Sequence, residues 1–204
     1  MSRLNQQVLQ MAKTVTGGFK MDGHTKLAQQ SRTWLIDAFF ELLTQQGYET
    51  LTVKAIADQA QLSRRTFYRF FKDKSAILDY LGQQFLTDYA AALQTLDPKT
   101  VTFDDIVMLF FHFMWQRRKR LHCLIQQNLF MTRLPTMMSQ AAQLYQQFEA
   151  PWHRAGSPEQ IKLLMTFMLG GYWTVINDWL AHDDPVPPEE LANNLLLALK
   201  TKRS

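Results

Sequence analysis

The chain has 204 residues, 47% of them apolar, and its 22 Lys and Arg against 18 Asp and Glu give a formal net charge of +4. That length and apolar content suit one moderate domain or two small ones sharing a core, and they exclude disorder as the default reading. The single cysteine, Cys123, excludes an intrachain disulfide, and the longest apolar run, Ile106 to Trp115, is interrupted by His112 and too short to span a bilayer.

Residues 1 to 30 are polar, glutamine-rich and broken by Gly17, Gly18 and Gly23. Leu4, Val8, Met11 and Val15 recur at helical spacing, so this arm reads either as a short helix or as a disordered segment. It carries no charged stretch followed by an apolar block and a cleavage site, which makes the cytoplasm the expected location. Ser31 to Gln46 predicts the first helix, with Trp34, Leu35, Ala38, Phe39, Leu42 and Leu43 at three- and four-residue spacing and Gly47 as its stop. Trp34 and Phe39 are expected in the core.

Leu51 to Leu78 predicts two short helices joined by a tight turn. The first opens after Thr52 and sets Ile56, Ala57 and Ala60 on one side. The second begins at Ser63. Winding Arg64 to Phe71 at about 100° per residue places Arg64, Arg65, Tyr68 and Arg69 on one half of the cylinder, with Phe67 and Phe71 opposite and Thr66 and Phe70 near the boundary. Lys54, Arg64, Arg65, Arg69, Lys72 and Lys74 meet only Asp58 and Asp73 in this stretch, the electrostatic footprint of a polyanion partner. The pattern predicts a helix-turn-helix that reads double-stranded DNA.

Asp73 to Leu96 predicts a longer helix, capped by Asp73 or its neighbour, with Ile77, Leu78, Leu81, Phe85 and Tyr89 as its buried stripe and Asp97 and Pro98 as its end. Thr102 with Asp105 has the form of a capping box. Behind it Phe103, Ile106, Val107, Phe110, Phe111, Met114 and Trp115 make a helix apolar nearly all round, which is buried on both sides or lines a cavity. Arg117 to Arg120 reads as a solvated helix end in preference to a second anion contact. Leu121 to Phe130 and Thr136 to Trp152 predict two further helices, parted around Leu134 and Pro135. Ser157 as cap, Pro158 at the first helical position and Gln160 as partner start another helix, which runs to about Leu180 with Leu164, Phe167, Met168, Trp173 and Ile176 among its apolar positions. Gly170 and Gly171 lie within it and mark either a close approach of another backbone or a kink. The last helix opens after Pro185, Pro187 and Pro188 and carries Leu191, Leu195, Leu196 and Leu199.

Thr52, Ile56, Ala57, Ala60, Leu62, Ser63, Thr66, Phe67, Tyr68, Phe71, Lys72, Lys74 and Leu78 together resemble the tetracycline-repressor (TetR) family of bacterial transcriptional regulators, closely over residues 32 to 78 and loosely beyond. Gln61 departs from the pattern, since the family usually places a glycine in that turn. The resemblance implies an all-α protein: an arm over residues 1–30, a three-helix DNA-binding head over 31–78 and a ligand-binding and dimerisation body over 79–204. It implies a homodimer formed by the last two helices, with Phe167, Gly170, Gly171, Leu191 and Leu195 as candidate interface. It also implies a cavity for a small effector, with candidate lining Phe110, Phe113, Met114, Trp115, Met131, Met138, Trp152 and Trp173. Ten methionines suit an adaptable pocket for an apolar or aromatic compound. GGYWTVINDWL followed by PPEEL resembles the C-terminal type of one TetR subgroup, and the usual distance from start to first helix makes Met21 the expected native start.

One head reads too few base pairs for useful specificity, so a two-fold dimer on a near-palindrome is expected. Thr52, Lys54, Tyr68 and Lys74 are the expected phosphate anchors, with Arg64, Arg65 and Thr66 nearest the base edges and Arg69 serving either role. No P-loop, GxSxG elbow or HExxH pair is present, and no cofactor is expected. His122 and Cys123 point about 100° apart on a helix, so with His112 they do not assemble a metal site. Glu149 with His153, and His182 with Asp183 and Asp184, read as exposed local pairs. The function expected is a DNA-binding regulator, a repressor released by its effector, and not an enzyme. The alternative is a co-regulator of the same fold that dimerises and signals to a protein partner without needing the arginine face.

Overall fold

The computed structural model describes residues 23–135, 137 and 156–200, and among these every regular element is helical. The expectations for residues 1–22, the helix Thr136 to Trp152 with Met138 and Trp152, and the Glu149 and His153 pair lie outside the described residues. The chain forms two compact units, which meet in sequence between Leu81 and Gly82.

The first unit contains α1 (Gly23–Gln46), α2 (Val53–Gln59), α3 (Arg64–Phe70) and the start of α4 (Lys74–Leu93). Helix α1 begins before Ser31, whose hydroxyl donates to the Leu27 carbonyl at 2.9 Å inside the helix instead of capping it. Leu35, Ala38, Phe39 and Leu43 form its buried stripe. Trp34 is not core as expected but 42% exposed, because it sits about a third of a turn from the middle of that stripe. Phe39, Leu51, Ile56, Ala57 and Phe67 close a core without access to solvent or nearly so, and fully burying each large side chain there is worth about 1.5–3 kcal/mol. Gly47, at φ 78°, ends α1 in the left-handed conformation that only glycine adopts freely. Asp73 caps α4 by accepting from the Ala76 N–H at 3.0 Å and the Ser75 hydroxyl at 2.8 Å. The Ser75 hydroxyl, followed by that N–H, holds the Asp73 carboxyl below its ordinary range. Helix α4 stops at Leu93, three residues short of the expected Leu96, in tightened turns to the carbonyls of Ala92 and Leu93.

The second unit holds the rest of α4 with α5 (Phe103–Gln116), α6 (Arg118–Gln126), a 3₁₀ turn at Met131–Arg133, α7 (Pro158–Trp179) and α8 (Pro188–Lys200). The capping boxes of Thr102 with Asp105 and of Ser157 with Gln160 both form as the sequence requires. Val107, Leu109, Phe111, Phe113 and Met114 bury α5 on more than one side. Its core cluster is shared with Trp173, Ile176 and Trp179 of α7 and with Ala192 and Leu196 of α8. Trp173 stacks on Phe130 at 4.3 Å and donates its indole N–H to the Phe130 carbonyl at 3.2 Å. Leu199 falls off the α8 stripe and is exposed, while Ala192 takes the buried position.

The basic run departs from its expected form. Arg117 breaks the helix between α5 and α6, pairs with Asp88 at 2.9 Å, donates to the Phe113 carbonyl and lies over the Phe113 ring at 3.6 Å. Arg118 lies over the Trp115 ring and opens α6. Lys119 and Arg120 are exposed, so the run is solvated in its second half only. Its first two guanidinium groups complete the α5 terminus, where free carbonyls favour cations. Helix α6 stops at Gln126, before the expected Phe130, because Asn128 adopts φ 56° and lets the N–H groups of Asn128 and Leu129 return to the carbonyls of Ile125 and Leu124.

Candidate nucleic-acid interface

The turn between α2 and α3 sets the geometry of the head. Gln61, at φ 55°, occupies the left-handed position, its N–H returning to Asp58 and that of Leu62 to Ala57, the double bond of a Schellman motif. A glycine would adopt that conformation freely, whereas glutamine bears about 1 kcal/mol of backbone strain. The departure at Gln61 thus leaves the turn intact.

Both helices start from side-chain caps. Thr52 accepts from the Ala55 N–H at 3.1 Å, and Ser63 accepts from the Thr66 N–H at 3.0 Å while its oxygen meets the Thr66 hydroxyl at 2.9 Å. With α3 so fixed, Phe67 is fully buried and Phe71 nearly so, their rings 5.8 Å apart. Arg64, Arg65, Tyr68 and Arg69 all face solvent, and Thr66 and Phe70 lie half-buried between the two sides. Arg64 and Arg65 make no ion pair among the described residues. Arg69 lies over the Phe70 ring at 4.8 Å, which Arg32 of α1 approaches at 5.2 Å. These contacts hold part of the guanidinium surface beside the reading face without neutralising it.

The expected anchors are less uniform. Thr52 and Tyr68 are exposed. Lys54 pairs with Asp58 at 2.6 Å across one turn of α2, an exposed contact worth no more than about 0.5 kcal/mol and therefore easily exchanged for a phosphate. Lys74 is already engaged: its ammonium donates to the carbonyls of Tyr48 at 2.7 Å and Glu49 at 3.1 Å and sits 4.4 Å above the Tyr48 ring. It ties the start of α4 to the loop that leads into α2. Lys72 is exposed between α3 and α4, a further cation beside the expected anchors.

In the body, Phe113, Met114 and Trp173 are buried, and Phe110 and Trp115 pack against the core cluster. Met131 is 39% exposed in the 3₁₀ turn, so the structure does not place it inside with the others. Two tyrosines that the lining omits, Tyr89 and Tyr172, each pack edge-on against Phe110 at 5.6 Å. Their signal in the sequence was a phenol on an otherwise apolar stripe. On α7, Phe167 is 80% exposed, and a Cβ added at Gly170 or Gly171 would meet nothing within 4 Å. Leu191 and Leu195 are partly used by the core of their own chain. His122 donates from Nδ1 to the Leu180 carbonyl, 2.8 Å away, and Cys123 is buried, which raises its thiol pKa. Among the described residues no three metal-ligating side chains converge, and no described helix is long and apolar enough to cross a membrane.

Residues 35–81 match the family of bacterial regulatory proteins described as tetR family. The chain is 33% identical over 60 residues to the HTH-type transcriptional regulator YvkB of Bacillus subtilis (strain 168), a match covering 29% of this chain and 32% of that one. It is 40% identical over 64 residues to the HTH-type transcriptional regulator HbdR of Aromatoleum sp. (strain CIB), covering 31% of this chain and 28% of that one. The chain thus spans about a third of the length of these curated relatives. Among solved structures it resembles the fatty acid degradation regulator FadR of Bacillus halodurans (TM-score 0.60, 17% identity, 85% of this chain and 96% of that one). It also resembles a TetR transcriptional regulator of Streptococcus agalactiae 2603V (TM-score 0.58, 18% identity, 87% and 98%). At such identities the structural likeness carries the fold alone.

Proposed function

We propose that this member of the tetR family of bacterial regulatory proteins acts as a homodimeric repressor that grips a near-palindromic operator and is released by a small apolar or aromatic effector. The observation that carries the reading is the division of α3. Phe67 locks it from behind, while Arg64 and Arg65 stand in solvent with no partner among the described residues. A buried aromatic anchor fixes the angle at which the helix meets a groove, and an arginine fork held at that angle matches the O6 and N7 acceptors of guanine.

Thr52, Lys54, Tyr68 and Lys74 serve as phosphate contacts in this reading, Lys72 joins them, and Arg64, Arg65 and Thr66 approach the bases. Lys74 has one ammonium hydrogen left after its two carbonyl bonds, so it both holds the loop and reaches the phosphate. Phe167 with the open glycine pair on α7, together with Leu191 and Leu195 on α8, forms the dimer contact, where the second copy's helix approaches Gly170 and Gly171. Phe110, Phe113, Met114, Trp115 and Trp173 surround the effector. The test is a gel shift with fragments flanking the chain's own gene, followed by a screen of apolar and aromatic compounds for release. A retarded complex that these compounds dissolve supports the reading. Retardation of every fragment alike, or none, removes it.

A further inference from the structure

Arg32 of α1 differs from the other cations of the head in being held between rings. Its guanidinium carbon lies over the Phe70 ring at 5.2 Å and over the Tyr80 ring at 5.1 Å, so a residue of α1 reaches both the reading helix α3 and the start of α4. Those rings are themselves braced. Phe70 directly follows the exposed Arg69 in α3, and Tyr80 meets the buried Phe71 edge-on at 5.8 Å. The core that fixes the angle of α3 therefore also fixes Arg32.

Packing over a ring uses the charge of a guanidinium and none of its N–H groups. Of the five N–H groups that an arginine carries, one donates here to Gln29 Oε1 at 3.0 Å, and no carboxylate pairs with Arg32 among the described residues. A second guanidinium stands close by: Arg69 lies over the same Phe70 ring at 4.8 Å and makes no ion pair among the described residues either. Two like charges gathered on one ring repel each other, and side chains that served only to tie helices together would gain nothing from it. A phosphate beside them removes the repulsion and takes the remaining N–H groups in the short charge-assisted bonds that a guanidinium fork makes. We propose that Arg32 grips the DNA backbone together with Arg69, at the C-terminal end of the reading helix and apart from the base-reading Arg64 and Arg65. Because the rings already hold the side chain, little rotamer freedom is left to lose when the phosphate arrives. A phosphate is the same at every base pair, so the contact serves all sequences equally.

This inference rests on the DNA-binding reading, and a duplex of scrambled sequence tests it without an operator. Fluorescence anisotropy follows binding of the full chain to that duplex between about 50 and 200 mM salt. Arg32→Gln should lower the slope of log affinity against log salt by about 0.9 for each head engaged, so that its deficit against wild type shrinks roughly three- to fourfold per head across that range. Arg69→Gln should lower the slope as far. Arg32→Met, which keeps an apolar stem against the two rings, should match Arg32→Gln even if the latter folds poorly. Arg32→Lys keeps the charge without the fork and should keep the slope while losing less affinity. Urea unfolding of each variant is measured alongside, since a purely structural tie would lower the unfolding midpoint and leave the slope of the folded protein unchanged. An unchanged slope in Arg32→Gln and Arg32→Met, or an Arg32→Lys slope as low as theirs, would overturn the proposal while leaving DNA binding by the other cations in place. Failure of the wild-type chain to bind any duplex would remove the DNA-binding reading and this contact with it.

Discussion

Helices α3 and α7 treat water in opposite ways. Helix α3 hides Phe67 and turns guanidinium groups outward, whereas α7 hides Trp173, Ile176 and Trp179 and still leaves Leu163 71% exposed beside the bare Phe167. Charged groups lose nothing by standing in solvent, so the α3 face is stable alone and waits for a polyanion. A row of large apolar side chains in water is unfavourable by roughly 25 cal/mol per Å², so the α7 face is the one whose free energy improves when another apolar surface covers it. The first surface fits a partner recognised by charge, the second a partner recognised by shape.

Removing the anchor behind α3 should do the most damage. Phe67→Ala leaves a cavity in the head and should cost about 3–5 kcal/mol, read from the midpoint of urea unfolding. DNA binding should disappear with it although every arginine remains. If binding persisted, the reading face would not depend on the core that aims it.

On the other surface, Phe167→Glu should convert dimer to monomer in sedimentation and weaken operator binding by about 10²-fold or more, because two linked heads gain that much over one. Unchanged sedimentation would show that the apolar face is not where copies meet. Between the contacts to DNA, Arg65→Ala should relax preference at particular base pairs by roughly 1–3 kcal/mol. Lys74→Ala should weaken binding to every sequence and lower the salt slope by about 1. Equal scaling of all affinities by both substitutions would undo the division between base and phosphate contacts. Lys74→Ala should also lower the melting temperature, since it frees the Tyr48 and Glu49 carbonyls.

Much of this was legible because it is local. The Thr52, Ser63, Thr102 and Ser157 caps follow from one residue and the third one after it, and the inward set of α3 follows from winding eight residues. What the periodicity misplaced depends on partners far along the chain. Trp34 is as apolar as Phe39, and which side of α1 meets the neighbouring helices decides that the residue a third of a turn off that side is exposed. Arg117 looks like a surface cation until Asp88, 29 residues earlier, arrives beside it. Met131 is a reasonable lining residue until the chain turns it outward. Tyr89 and Tyr172 come together only through Phe110, a juxtaposition that no spacing encodes.

Two smaller substitutions probe the backbone beneath each surface. Gly171→Ala adds a methyl to open space in the single chain and should raise helix stability by about 1 kcal/mol in a monomeric background such as Phe167→Glu. In the wild-type background it should weaken the proposed dimer, in which a second backbone would approach there. Gln61→Gly should relieve the left-handed turn and raise head stability by no more than about 1 kcal/mol, offset in part by the freer unfolded chain. A loss of stability instead would mean that the Gln61 side chain, not the backbone, decides the turn.

That α3 enters a major groove with its arginines foremost can be read from paired hydroxyl-radical and dimethyl sulfate footprints on the operator, the first reporting the backbone and the second guanine N7 in the major groove. The wild-type dimer should protect two patches about one helical turn apart or a whole multiple of it, with Arg65→Ala leaving the backbone protection in place while guanine contacts within each patch are lost. A footprint whose guanine contacts are identical in the two proteins, or protection with no two-fold spacing, would contradict it.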